Sequence, residues 1–246
     1  METIFIITLG AIAAGFIQGL TGFAFAMVSM SFWVWVVDPR ITASLVVFSA
    51  LAGQILSAFS VRRGFSFQLL WPFIAGGLVG VPLGVILLPA LDINWFKVFV
   101  GLFLIVCCPL MLFSSKIPPI RQKGKTVSGL VGIASGILSG AGGISGVPIS
   151  LWCALCHYEK DDQRNIVQNF SLSMLLVTMG IYIYKGFVTI ETLKLFAIVL
   201  PAMLIPTWLG TQCYQKINPV RFRKIILILL TCSGISMLVS SLIKIL

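Results

Sequence analysis

The chain has 246 residues, 59% of them hydrophobic and only 10% charged, with a mean hydropathy of +1.08. Soluble domains carry about 25% charged residues, so this chain cannot cover itself with polar surface, which excludes an ordinary soluble enzyme or binding module. The net charge of +10 does not indicate nucleic acid: no basic stripe interleaves with aromatics as single-strand binders require, and Lys- and Arg-rich cytoplasmic loops account for the excess.

The first predicted element is a long uncharged run, residues 3–37, with Gly15, Gly19 and Gly22 in its middle. No basic n-region or small-residue cleavage site accompanies it, so no signal peptide is expected. Three apolar segments follow, at about 41–61, 65–90 and 95–113, each long enough to cross a bilayer. Residues 117–125 form a basic linker, expected on the cytoplasmic side. A second glycine-centred run covers 126–156, with Gly136, Gly140, Gly142, Gly143 and Gly146, and three more apolar segments follow at about 163–184, 190–214 and 219–243.

The two halves repeat. Gly15, Gly19 and Gly22 recur as Gly136, Gly140 and Gly143, all displaced by 121 positions. Pro82 recurs as Pro206, and Ile93-Asn94 as Ile217-Asn218, displaced by 124. The chain therefore divides into a first transmembrane repeat (1–116), the linker (117–125) and a second repeat (126–246).

A straight helix over residues 3–37 would extend about 50 Å, beyond a hydrocarbon core of about 30 Å. Split at the glycines, each piece is about 15 residues, or roughly 23 Å. A re-entrant hairpin that turns at the glycines and leaves by the side it entered satisfies both lengths. The charges favour it. With hairpins, Arg62, Arg63, Lys116, Arg121, Lys123, Lys125, Lys160, Arg164, Lys216, Arg221, Arg223 and Lys224 share one side, and only Arg40, Lys97, Lys185, Lys194 and Lys244 face the other. Single crossings divide the same cations almost evenly, against the positive-inside rule.

The predicted fold is an all-α polytopic membrane protein of two inverted-topology repeats, each a glycine-broken hairpin plus three transmembrane helices, with both termini outside a bacterial inner membrane. Inverted repeats with broken helices recur in transporters. Trp33, Trp35, Trp71, Trp95, Trp152, Tyr158, Tyr182 and Tyr184 lie near span ends as interface anchors.

Helix starts at the hairpin tips offer unpaired amides and partial positive charge. Glycine lets a ligand approach the backbone, so two tips from opposite faces make an anion site without a buried cation. The candidate substrate-binding residues are Gln18, Gly19, Thr21, Gly22 and Phe23 at the first tip and Ser139, Gly140, Gly142, Gly143 and Ser145 at the second. Asn165 and Asn169, four apart on one helix face, complete the set; Gln168 and Ser171 lie nearby, and Ser49 and Gln54 fall within the equivalent first-half span. The competing reading is helix packing, since Gly15/Gly19, Gly132/Gly136/Gly140 and Gly76/Gly80/Gly84 all have the four-residue spacing of close-packed membrane helices.

Other chemistries fit poorly. A phosphate loop should follow a strand and end in Gly-Lys-Ser/Thr, whereas Gly146 precedes Val147-Pro148. Cys153-Ala-Leu-Cys156-His157 has the spacing of covalent haem attachment but falls on the side marked cytoplasmic, and two cysteines are too few for structural zinc. The six cysteines lie in or beside apolar runs, which suits buried small residues and not a disulfide framework. The spans hold no acidic pair, nucleophilic triad or metal cluster, so no enzyme activity, cofactor or metal is expected. Asp38, Glu159, Asp161, Asp162 and Glu191 stand at span ends, where they could gate or accept protons; a coupling proton or ion, and the oligomeric state, are left open.

On these features the chain resembles the sulfite exporter family, TauE/SafE. The residues that carry the resemblance are Gly15, Gly19, Gly22 and Phe23, then Gly136, Gly140, Gly142, Gly143, Gly146 and Pro148. Phe25 stands opposite Gly146 and Met27 opposite Pro148, which makes the second tip the more open backbone site, with Phe23 and Phe25 shaping the other wall. The resemblance implies a transporter, usually outward, of sulfite or an organosulfonate such as sulfoacetate. The alternatives are a passive anion channel of the same fold and a non-transporting membrane scaffold.

Overall fold

The structure, a computed structural model, describes residues 2–60, 67–90, 92–113, 124–213 and 219–245. The described residues form helices and no strands: α1 (Glu2–Thr21), α2 (Phe25–Trp33), α3 (Pro39–Ser60), α4 (Phe67–Leu87, extended by a 3-10 turn Leu88–Ala90), α5 (Ile93–Phe113), α6 (Lys125–Gly142), α7 (Val147–Leu155), α8 (Lys160–Tyr184), α9 (Ile190–Cys213) and α10 (Pro219–Ile245). Six of them are long and apolar enough to cross a membrane. The linker from 117 to 123 lies outside the described residues.

Each long run breaks at its glycines, but not into equal arms. α1 and α6 have 20 and 18 residues, about 30 and 27 Å at 1.5 Å per residue. The returning helices α2 and α7 have nine residues each, roughly 14 Å. The first arms thus run deeper than the half-crossing expected from the sequence.

The return of α2 is fixed by the indole of Trp33, whose Nε1 donates to the Ile7 carbonyl at 3.0 Å. The Lys97 ammonium lies 4.7 Å from the centre of the Trp35 ring, and the Ser44 hydroxyl donates to the Phe187 carbonyl at 3.2 Å. These contacts gather the α2–α3 turn, the start of α5 and the α8–α9 turn at the end where α1 begins. Arg40, Lys97 and Lys185 therefore share one end, as hairpin topology requires and single crossings do not. At the opposite end Leu69 and Leu70 of α4 share a groove with Asp162 and Asn165 of α8.

Glycine rows decide which helices touch. α4 lies along α6 and α1 along α9. A Cβ on Gly76, Gly80 or Gly84 would stand on the carbonyl oxygen of Gly129, Ile133 or Ile137, and one on Gly132, Gly136 or Gly140 on that of Phe73, Gly77 or Val81. The register rises together on both helices, so α4 and α6 run parallel with their backbones in contact. Gly15 and Gly19 meet Met203 and Thr207 of α9 in the same sense. α5 and α10 pair the other way, Gly101 against Leu238 and Gly234 against Leu104, and are antiparallel.

The pairing obeys a two-fold exchange. Each half's second helix after the hairpin packs on the other half's hairpin, α4 on α6 and α9 on α1, while the equivalent helices α5 and α10 pair with each other. α2 and α7 lie innermost: Phe25, Met27, Met30 and Trp33 are buried, as are Val147, Ile149 and Cys153. A helix apolar all round belongs inside. Trp35, Trp71, Trp95 and Tyr184 are exposed, whereas Trp33 and Tyr182, expected as interface anchors, are wholly buried. Each spends its polar hydrogen on a backbone carbonyl inside the molecule, which anchors helix to helix and not protein to interface.

Candidate functional site

The two breaks have the same backbone design. Gly22 (φ 86°) and Gly143 (φ 74°) are left-handed, and their amides donate to Gln18 and Ser139, in both cases at 2.7 Å. Each is the single bond, from the left-handed residue back to the carbonyl four residues before it, that ends a helix on a left-handed glycine; at the second break Ile144 also donates to Leu138 at 3.2 Å. These are the glycines displaced by 121 positions in the sequence, and both end their helix in the left-handed conformation.

Their surroundings differ. A Cβ on Gly143 would lie 3.1 Å from Val46 and 3.2 Å from Val47, and one on Gly142 would run into Met30. A Cβ on Gly22 would instead lie 2.8 Å from Nε2 of Gln168, and the Gly22 carbonyl accepts from Gln54 Nε2 at 2.6 Å. Gln168 is the repeat equivalent of Val47. The second tip, expected to be the more open one, is therefore enclosed by hydrocarbon, and the polar surroundings collect at the first.

The tips meet each other. A Cβ on Gly146 would stand 2.6 Å from the Phe23 Cβ and 2.8 Å from the Ser171 hydroxyl. Phe23 of the first half, Gly146 of the second and Ser171 of α8 thus share one contact, with Gln168 one turn away on the same helix. Gln168 and Ser171 are each 1% exposed, and among the described residues Gln168 Nε2 and Ser171 Oγ have no hydrogen-bond partner. A buried donor left unbonded costs about 1–3 kcal/mol, so two beside the same contact call for an explanation. The first turn of α2 adds amides with no side-chain cap from Ala24; α7 offers fewer, because Pro148 in its first turn has no N–H.

The other candidates fall into three groups. Gly19 and Gly140 are packing residues whose Cβ positions are taken by the backbones of α9 and α4. Gln18, Thr21, Ser139 and Ser145 bond within the protein. Gln18 Nε2 donates to Ala50 at 3.0 Å, although its Oε1 is buried without a partner among the described residues; Thr21 donates to Ile17 at 2.8 Å; Ser139 pairs with Thr178 at 3.0 Å; and the Ser145 carbonyl accepts from Ser135. Asn165 and Asn169 line the groove with Leu69 and Leu70, one helix face away from Gln168 and Ser171. Tyr182, outside the candidate set, donates to the Gly140 carbonyl at 2.7 Å. Cys153 and Cys156 are buried, and His157 lies exposed in the turn after α7 with φ 48°.

The open cradle of glycine amides expected at the tips is filled in this packing. Residues 139–147 are buried without exception, and neighbouring side chains occupy the space beside each tip glycine. What the break brings together is a set of neutral side-chain donors, Gln54, Gln168 and Ser171, around the first tip.

A family model described as Sulfite exporter TauE/SafE matches residues 7–237, which takes in both halves and both helix breaks. The chain belongs to that family. No curated protein and no solved structure shows a significant match. The TauE/SafE family is one of membrane transporters of sulfur anions, not of enzymes, and the six apolar helices are those of a multi-pass membrane protein. In this member the family's glycine-rich segments become a pair of left-handed breaks and the helix contacts that hold them.

Proposed function

We propose that the protein moves a small sulfur oxyanion or organosulfonate out of the cell by alternating access, with the substrate held where the two tips meet. The observation that carries this reading is the pair of buried donors without partners, Gln168 Nε2 and Ser171 Oγ, beside Gly22, Phe23 and Gly146. An anion accepts hydrogen bonds from neutral donors without the large cost of burying a charged side chain. Withdrawal of Phe23 from Gly146 would make room for it.

The exchanged pairing of the halves supports inverted repeats. Equivalent helices α5 and α10 run antiparallel, which fits a two-fold axis in the membrane plane and rocking of one half against the other. The end that gathers Arg40, Lys97 and Lys185 would face outward, with the linker on the cytoplasmic side of a bacterial inner membrane. Tight closure of the tips favours a carrier over a passive channel.

The test is flux into proteoliposomes. Sulfite or sulfoacetate uptake should saturate and exchange across the bilayer, and Gln168→Leu should abolish it while the variant elutes as folded protein. Substrate-dependent current without saturation would establish the channel, and flux unaffected by Gln168→Leu together with Ser171→Ala would remove the site.

A further inference from the structure

Resting on that site, we infer that Arg164 is a further anion-binding residue, a cation on the cytoplasmic approach that engages the substrate before Gln168 and Ser171 take it at the tips. α8 begins at Lys160 and ends at Tyr184, beside the turn where Ser44 meets Phe187. Its first turns therefore lie at the end opposite Arg40, Lys97 and Lys185. Arg164, Gln168 and Ser171 are spaced four and then three residues apart, which places them on one face of the helix. Arg164 stands about 6 Å from Gln168 along the axis, at 1.5 Å per residue. Its side chain is half-buried, with Nε and Nη2 enclosed by protein, so those edges of the guanidinium face neither lipid nor bulk water. Asp162 lines the groove with Leu69 and Leu70, about 160° around the helix from Arg164.

Charge and shape both suit an oxyanion. A guanidinium carries five N–H donors in a planar fork that matches two oxygens of a sulfonate or carboxylate. It can keep a contact within the protein and still receive an anion. Enclosure strengthens the attraction, because Coulomb energy rises as the local dielectric falls. The arrangement is one-sided. Displaced by 121 positions, Gln168 corresponds to Val47 and Arg164 to Ala43, which is uncharged and wholly buried. The approach along α3 from the opposite end has no cation at that position. The substrate thus meets the guanidinium on loading from the cytoplasm and not on release outside.

The experiment uses the full chain in inside-out membrane vesicles, where the cytoplasmic end meets the added anion, with methanesulfonate (singly charged) and sulfoacetate (doubly charged) as probes. Coulomb attraction to a cation grows with the charge of its partner, so a guanidinium that touches substrate favours sulfoacetate more. Arg164→Gln should raise the half-saturation concentration about tenfold for methanesulfonate, or 1.4 kcal/mol, and at least about threefold further for sulfoacetate. Arg164→Lys keeps the charge and loses the fork, so it should hold the ratio of the two half-saturation concentrations at the wild-type value. A role in folding alone would move both anions equally: an equal rise in Arg164→Gln, or a ratio that shifts as much in Arg164→Lys, overturns the inference. Unchanged half-saturation in Arg164→Gln also overturns it, while the tip site stands if Gln168→Leu still abolishes uptake. Uptake of either anion that survives Gln168→Leu together with Ser171→Ala overturns both.

Discussion

Replacing Gly22 and Gly143 by alanine, one at a time, separates the two helix breaks by what lies against them. Both residues are left-handed, φ 86° and 74°, and an alanine held there costs about 1–2 kcal/mol. On backbone grounds the variants should lose similar stability. Gly143→Ala loses somewhat more, because its methyl would lie 3.1–3.2 Å from Val46 and Val47, branched side chains with little freedom to move. In Gly22→Ala the methyl would lie 2.8 Å from Gln168 Nε2, the far end of a flexible side chain. That amide swings aside at small steric cost, and a hydrogen bond to a charged substrate is lost, worth about 1.5–3 kcal/mol. Apparent affinity should fall on the order of ten- to a hundredfold in Gly22→Ala and by a few-fold at most in Gly143→Ala. The assay is concentration-dependent flux in proteoliposomes, normalised to folded protein, with thermal unfolding in detergent as the stability control. Equal losses of affinity in the two variants, or a larger loss in Gly143→Ala, would refute the assignment of the anion to the first tip.

Two further outcomes test the frame around the site. Gly80→Val and Gly210→Val place a side chain on the carbonyls of Ile133 and Phe16, so each should part a cross-half helix pair and sharply reduce the monodisperse fraction on size-exclusion chromatography, while Gly180→Val, with no atom within 4 Å of its Cβ position, should not. In a cysteine-free background, Lys185→Cys and Arg40→Cys should react with a membrane-impermeant maleimide applied from outside intact cells, and Gly124→Cys only after permeabilisation; labelling of Arg40→Cys and Lys185→Cys from opposite sides would contradict the hairpin return of α2.

Much of the architecture could be read from residue order. The apolar segments at 41–61, 65–90, 95–113, 163–184 and 190–214 reappear as α3, α4, α5, α8 and α9 within a few residues, and both breaks fall at glycines marked by the repeat. This is legible because lipid is a uniform solvent: span length follows from bilayer thickness, and a left-handed stop requires glycine whatever surrounds it. Tertiary structure alone decided what each face of those helices meets. Asn165 and Asn169 share a face, and Gln168 and Ser171 lie a quarter to a third of a turn away on a helix that is polar on both; only the packing of α8 against Gly22 and Gly146 turned the second pair toward the tips. Gly19 and Gly140 look as much like tip residues as Gly22 and Gly143 do, yet α9 and α4 cover them. Helix rotation in such a chain is set by backbone contact between distant segments, and helices apolar on nearly every side carry no local sign of it.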